Sequence, residues 1–136
     1  MEDKIKEFFK GDRFADYVGI KLVKVEPGYA VTEMDIAEHH LNGVNIIQGG
    51  AIFTLADFAF AAASNAGGQV TVGMTGNISY FKAAQGQKLV AEAKEIFASH
   101  KTASYSVDVF DDNKTLIARL TVTGYKKGQR IDFDNI

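Results

Sequence analysis

A single carboxylate stands in the middle of the one strongly helical stretch of this chain. From Ala51 to Asn65 the apolar residues Ile52, Leu55, Ala56, Ala59, Phe60 and Ala63 follow the i, i+3, i+4, i+7 spacing of an amphipathic helix. Asp57 lies among them, with Phe53 and Ala61 one turn away and Phe58 and Phe60 close by in sequence. A charge buried without a partner costs several kcal/mol. Asp57 therefore either faces water or occupies an apolar pocket, where a raised pKa suits a nucleophile or a general base. A solvated face would be expected to carry more than one charged residue, which favours the pocket.

A second chemical feature precedes the helix. Gln48-Gly49-Gly50 leads directly into it. Glycine lets a ligand approach the backbone closely, and the first turn of a helix leaves amide N–H groups unpaired with a partial positive charge. That combination can stabilise negative charge developing on a carbonyl oxygen. The alternative is that the two glycines only let the helix pack closely on a sheet. Gly49 and Asp57 are eight positions apart, or roughly 12 Å along a helix axis. One chain cannot bring both to the same carbonyl. If both act, Asp57 faces Gly49 of a second copy across a two-fold axis, with two equivalent sites per dimer.

The elements that must position these groups are mostly strands. Met1 to Phe14 reads as a short amphipathic N-terminal helix, assigned to residues 1–16, with Ile5, Phe8, Phe9 and Phe14 on its apolar side. Gly19–Val25 and Tyr29–Ile36 alternate apolar and polar residues with period two around Glu26-Pro27-Gly28, which predicts a hairpin. After the helix, ended by Gly67-Gly68, four β-branched and aromatic runs follow: 70–82, 88–98, 102–110 and 115–125. The expected fold is α+β, a single domain over 1–136 with an antiparallel sheet wrapped around one long central helix. The polar residues 127–136 are expected to form a loosely held tail.

Composition narrows the function classes. The 136 residues carry a net charge of −2, which leaves no general electrostatic footprint for nucleic acid. Cys is absent, so disulfides, thiolate metal sites and a cysteine nucleophile are excluded. His39 and His40 are adjacent and point in different directions, and no metal is expected. No secretory signal pattern is visible, and the 51–63 stretch is too short to span a bilayer, so a cytoplasmic location without membrane association is expected.

The segment from His40 to Asn65, HLNGVNIIQGGAIFTLADFAFAAASN, resembles the signature of the PaaI-like (phenylacetate-degradation type) branch of hotdog-fold thioesterases. In that family an Asn precedes a loop ending in His-Gly-Gly, followed by a helix containing Leu-Ala-Asp. The resemblance extends over about Gly19 to Lys126. It implies an acyl-CoA thioesterase with no cofactor beyond the CoA of its substrate, working as a homodimer that pairs further into a homotetramer. It places Asp57 at the catalytic carboxylate, Gly49 at the backbone N–H that polarises the thioester carbonyl, and Asn42 at the Asn that positions water or the carboxylate. Gln48 stands where most relatives have His; its amide can donate a hydrogen bond but cannot titrate. Gly50, Phe53 and Thr75 are candidates for contacting substrate. His100 and Lys101, in a turn like the family's Gly-Lys turn, are candidates for the CoA phosphates. Phe81-Lys82-Ala83-Ala84 departs from the family, which often has a Pro there.

Other readings stay open at this point. The Gln48 departure suits a non-catalytic acyl-CoA-binding protein on the same fold. A hydratase or dehydratase of this architecture typically uses a His-containing acid/base pair, and the helix here carries only Asp57. A protein–protein module would leave both Asp57 and the Gly-Gly pair without a purpose.

Overall fold

A computed structural model describes all 136 residues. The chain opens with two short helices, α1 (Glu2–Phe9) and α2 (Arg13–Val18). Strands β1 (Ile20–Glu26) and β2 (Tyr29–Asp35) come next, then the central helix α3 (Gly49–Asn65). Four strands complete it: β3 (Gln69–Tyr80), β4 (Lys88–Ala98), β5 (Thr102–Phe110) and β6 (Leu116–Arg130). The six strands form one antiparallel sheet in the order β1-β2-β4-β5-β6-β3, curled around α3.

The sheet face beneath α3 is built from small residues alternating with larger ones. Ala30, Ala91, Ala93, Ala103 and Ala118 are buried beside Met34, Leu89, Val107, Val109 and Leu120. The alanines let the helix seat closely, and α3 answers with buried Leu55, Ala56, Ala59, Phe60, Ala62 and Ala63. Thr32, fully buried, donates its hydroxyl to the Leu55 carbonyl at 3.0 Å, tying sheet to helix. At the far end Asn65 acts as a clamp. Its Oδ1 accepts from the Thr71 N–H at 2.8 Å and its Nδ2 donates to the Thr71 carbonyl at 3.0 Å. This reproduces strand pairing at the point where the chain leaves the helix for β3.

Two local expectations are corrected. The N-terminal helix is not continuous over 1–16. Asp12 caps a separate α2 by accepting from the Ala15 N–H, and α1 ends before Gly11. The segment 127–136 is not a loose tail: β6 continues to Arg130, a short 3₁₀ helix follows at Phe133–Asn135, and Phe133 is buried edge-on against Phe8. The apolar side of α1 needs a cover, and Phe133 supplies it. No helix is long and apolar enough to cross a membrane.

Candidate active site

The helix start is organised by Gln48. It is the N-cap of α3, and its side-chain Oε1 accepts from the Gly50 N–H at 2.6 Å. That contact assigns the amide: Oε1 is turned back on the helix, and Nε2 is a donor without a partner in the chain. The Gln48 carbonyl accepts from the Ala51 N–H at 3.0 Å, and its own N–H donates to the His40 carbonyl at 2.8 Å. The Gly49 N–H makes no hydrogen bond within the chain. Two donors of consecutive residues, the Gly49 N–H and Gln48 Nε2, are thus without a partner in the chain at a helix N-terminus, the end of a helix that favours negative charge.

Close contacts explain both glycines. A Cβ on Gly50 would lie 2.5 Å from Gln48 Oε1, so any side chain there expels the folded-back Gln48. A Cβ on Gly49 would meet the ring and hydroxyl of Tyr80 at 3.0 Å. Tyr80, at the end of β3, donates its hydroxyl to the Gly49 carbonyl at 3.0 Å. Sequence reasoning missed Tyr80, since 31 positions separate it from Gly49 and no spacing rule links an aromatic at a strand end to a helix start.

Asn42 organises the preceding loop. Its Oδ1 accepts from the N–H groups of Val44 at 2.9 Å and Ile46 at 3.2 Å, inside a bridge between Leu41 and Ile47. Buried His40 anchors the same loop: its Nδ1 accepts from the Ala37 N–H at 2.9 Å, and Nε2 contacts the Val18 carbonyl at 2.7 Å. With both ring nitrogens engaged, His40 is a structural bolt. No group of three or more His, Cys, Asp or Glu converges where it could hold a metal ion.

Asp57 does not lie in a pocket of its own chain. After the first turn, the residues of α3 that are not buried are Phe53, Thr54, Asp57, Ala61 and Ser64, a single stripe on which Asp57 is the sole charge and is exposed. Its carboxylate has no ion pair or hydrogen bond within the chain. Protein surrounds it on enough sides that desolvation raises its pKa above the ordinary 3.8, and the like charge of Asp12 adds to this. Closeness in sequence does not bring all the neighbouring aromatics to Asp57. Phe58 and Phe60 are buried in the core, edge-on to Phe9 and Tyr105, and only Phe53 reaches the stripe, its ring beside Gly76 of β3.

The other candidates lie apart. Thr75 is exposed on β3, beside a register shift at Gly73/Thr75. His100 and Lys101 are exposed in the β4–β5 turn, which Ser99 and Thr102 shape through a Ser99 N–H to Thr102 carbonyl bond of 2.8 Å. Lys126, not singled out from sequence, joins them by donating Nζ to the Ser99 carbonyl at 2.9 Å. One chain brings Gln48, Gly49, Gly50 and Tyr80 together and leaves Asp57 further along the helix.

Comparison with known proteins places this arrangement. The family model described as "Thioesterase superfamily" matches residues 44–118. A protein of Archaeoglobus fulgidus, provisionally named an esterase, is 40% identical over 93% of this chain and 83% of its own length. The acyl-coenzyme A thioesterase PaaI of Escherichia coli K12 is 27% identical over 90% of this chain and 89% of its own. The structure of the E. coli PaaI protein superposes with a TM-score of 0.89 at 25% identity, covering 96% of this chain and 99% of that one. The match spans the sheet, the central helix and the loop carrying Gln48 alike, and so the chain belongs to the thioesterase superfamily, as a PaaI-like enzyme of the hotdog fold.

Proposed function

We propose that this protein is an acyl-CoA thioesterase that works as at least a homodimer, its site formed by Asp57 of one subunit and the α3 N-terminus of the other. One observation carries the reading. A helix-start amide and an unpaired, partly desolvated carboxylate stand free on the same helix, eight residues apart, too far to act on one carbonyl within one chain. A second copy related by a two-fold axis resolves this. The edge strand β3 supports the same assembly: over its 12 residues it carries no charge, and Val72, Met74 and Tyr80 are exposed. Edge strands that end a sheet in water are ordinarily protected by charges, Pro or brevity. Relatives named acyl-coenzyme A thioesterases, from E. coli and from Homo sapiens, supply the substrate class.

In this reading the thioester oxygen sits against the Gly49 N–H and Gln48 Nε2, which take up the negative charge of the tetrahedral intermediate. Asp57 either attacks the carbonyl carbon, with water later cleaving the resulting anhydride, or removes a proton from the attacking water. In both routes the C–S bond breaks, water supplies the new oxygen, and the products are the free acid and the protonated CoA thiol. Asn42, through its uncommitted Nδ2, holds the loop side of the water. Gly50 supports Gln48, Phe53 and Thr75 border the acyl slot, and His100 and Lys101 meet the CoA phosphates.

The test is thiol release over a panel of acyl-CoA esters with wild type and Asp57→Asn side by side. Turnover is expected to fall by at least about 10²-fold in the variant while ester binding survives. Near-wild-type turnover of Asp57→Asn would remove Asp57 from the mechanism. Binding without thiol release from any ester would identify a non-catalytic acyl-CoA-binding protein instead.

A further inference from the structure

We infer that Tyr80 is a positioning residue that aims the Gln48 amide through the Gly49–Gly50 peptide; the inference rests on the helix start serving as the donor end of the thioesterase site. Three contacts form a chain. The Tyr80 hydroxyl donates to the Gly49 carbonyl at 3.0 Å. The same peptide group carries the Gly50 N–H, which donates to Gln48 Oε1 at 2.6 Å. The planar carboxamide then fixes where Nε2, its donor, must point. Each hydrogen bond polarises the next, because a peptide whose oxygen is held by a donor presents a more positive N–H. A phenol is well suited to donate here. Half-exposed at a strand end, it is protonated at neutral pH as any phenol is, and desolvation raises its pKa further above the usual tyrosine value.

Gln48 has a specific need for such a brace. A flexible amide side chain at a helix start loses rotamer freedom when it is held in one pose. Here Oε1 is gripped by an amide that Tyr80 strengthens, and the hydroxyl of Tyr80 holds the oxygen of the same peptide while its ring occupies the space a Gly49 Cβ would need. The Tyr80 hydroxyl proton is committed to the Gly49 carbonyl, so Tyr80 acts through Gln48.

Two measurements test this. In thiol-release assays Tyr80→Phe is expected to lower kcat by about 3- to 10-fold, the worth of one neutral hydrogen bond, with KM changed less than about twofold. Placed on Gln48→Ala, the same substitution should cost less than about twofold further, because its target is gone. A wild-type kcat in Tyr80→Phe, or a full multiplicative loss on top of Gln48→Ala, overturns the inference. The second measurement needs no turnover. In the ¹⁵N-labelled protein, the Gly50 amide proton of Tyr80→Phe should move upfield and exchange faster with solvent than in wild type. An unchanged Gly50 resonance refutes the brace even if the protein hydrolyses no ester, and absent hydrolysis by wild type counts against the proposed function alone.

Discussion

Substituting Gly50 by Ala sets two effects of known size against each other, and the structure decides what each observable should do. Alanine is the better helix former by up to about 1 kcal/mol. Its Cβ, however, would stand 2.5 Å from Gln48 Oε1, well inside contact distance, and the obstacle is the end of a flexible side chain. The side chain, not the backbone, therefore moves. Gln48 swings away and the 2.6 Å capping bond to the Gly50 N–H is lost, at a cost of about 0.5 to 2 kcal/mol. The gain and the loss nearly cancel, leaving a net change within about 1 kcal/mol. For 136 residues an unfolding entropy of about 2.1 cal/mol/K per residue makes that a melting shift within roughly 4 °C. Activity has no such compensation: with Oε1 released, nothing holds Nε2 in one pose, and kcat should fall by at least about tenfold, toward the 10²-fold that loss of a whole donor costs. Thermal denaturation and thiol release on one preparation read both quantities. Gly43→Ala, whose Cβ meets nothing within 4 Å, serves as the silent control. A Gly50→Ala enzyme with full turnover would show that the folded-back Gln48 has no part in catalysis.

Asp57 makes two pH predictions. Because its pKa is raised by desolvation first and by Asp12 second, the acid limb of the rate profile should lie above the ordinary aspartate value of 3.8 and vanish in Asp57→Asn; a limb at or below 3.8 would contradict the assignment. For stability the sign follows from proton binding. Between the unfolded and folded pKa values the folded state holds the extra proton, so wild type loses stability relative to Asp57→Asn as pH rises through that window, and the two converge below it. Denaturant midpoints at several pH values check this. Asn65→Ala strips both partners from the buried Thr71 backbone, and at about 1 to 3 kcal/mol per unsatisfied group the two groups should cost about 2 to 6 kcal/mol, or roughly 7 to 21 °C of melting temperature. A shift under about 3 °C would mean that water replaces the clamp.

Much of the frame was legible because its signals are periodic. The 3.6-residue repeat of α3 and the alternation of the strands are set by which face each element buries, and burial leaves its mark residue by residue. The break after α1 was less legible. Gly11-Asp12 is a cap signal, Asp followed three residues later by the Ala15 N–H it accepts, but the continuing apolar spacing to Phe14 hid it. The fate of 127–136 was not legible at all, since Phe133 is one apolar residue among polar ones and its partner, Phe8, lies at the other end of the chain.

The site divides along the same line. That a lone carboxylate on an apolar helix needs explanation could be read from residue types, but the pocket first inferred for Asp57 is not one its own chain supplies. The stripe Phe53, Thr54, Asp57, Ala61 and Ser64 is at least partly exposed in the single chain and nearly uncharged, a surface suited to being covered rather than solvated. Sequence reasoning could reach that conclusion only through the distance between Gly49 and Asp57. The reason for two consecutive glycines was hidden in three dimensions. Neither has the positive φ that would make glycine obligatory by backbone alone. Gly50 is small because Gln48 folds over it, and Gly49 is small because Tyr80 does. At the position before the pair, the same two contacts hold an amide that cannot titrate. The acid limb of this enzyme should therefore come from Asp57, with no second limb from the helix start.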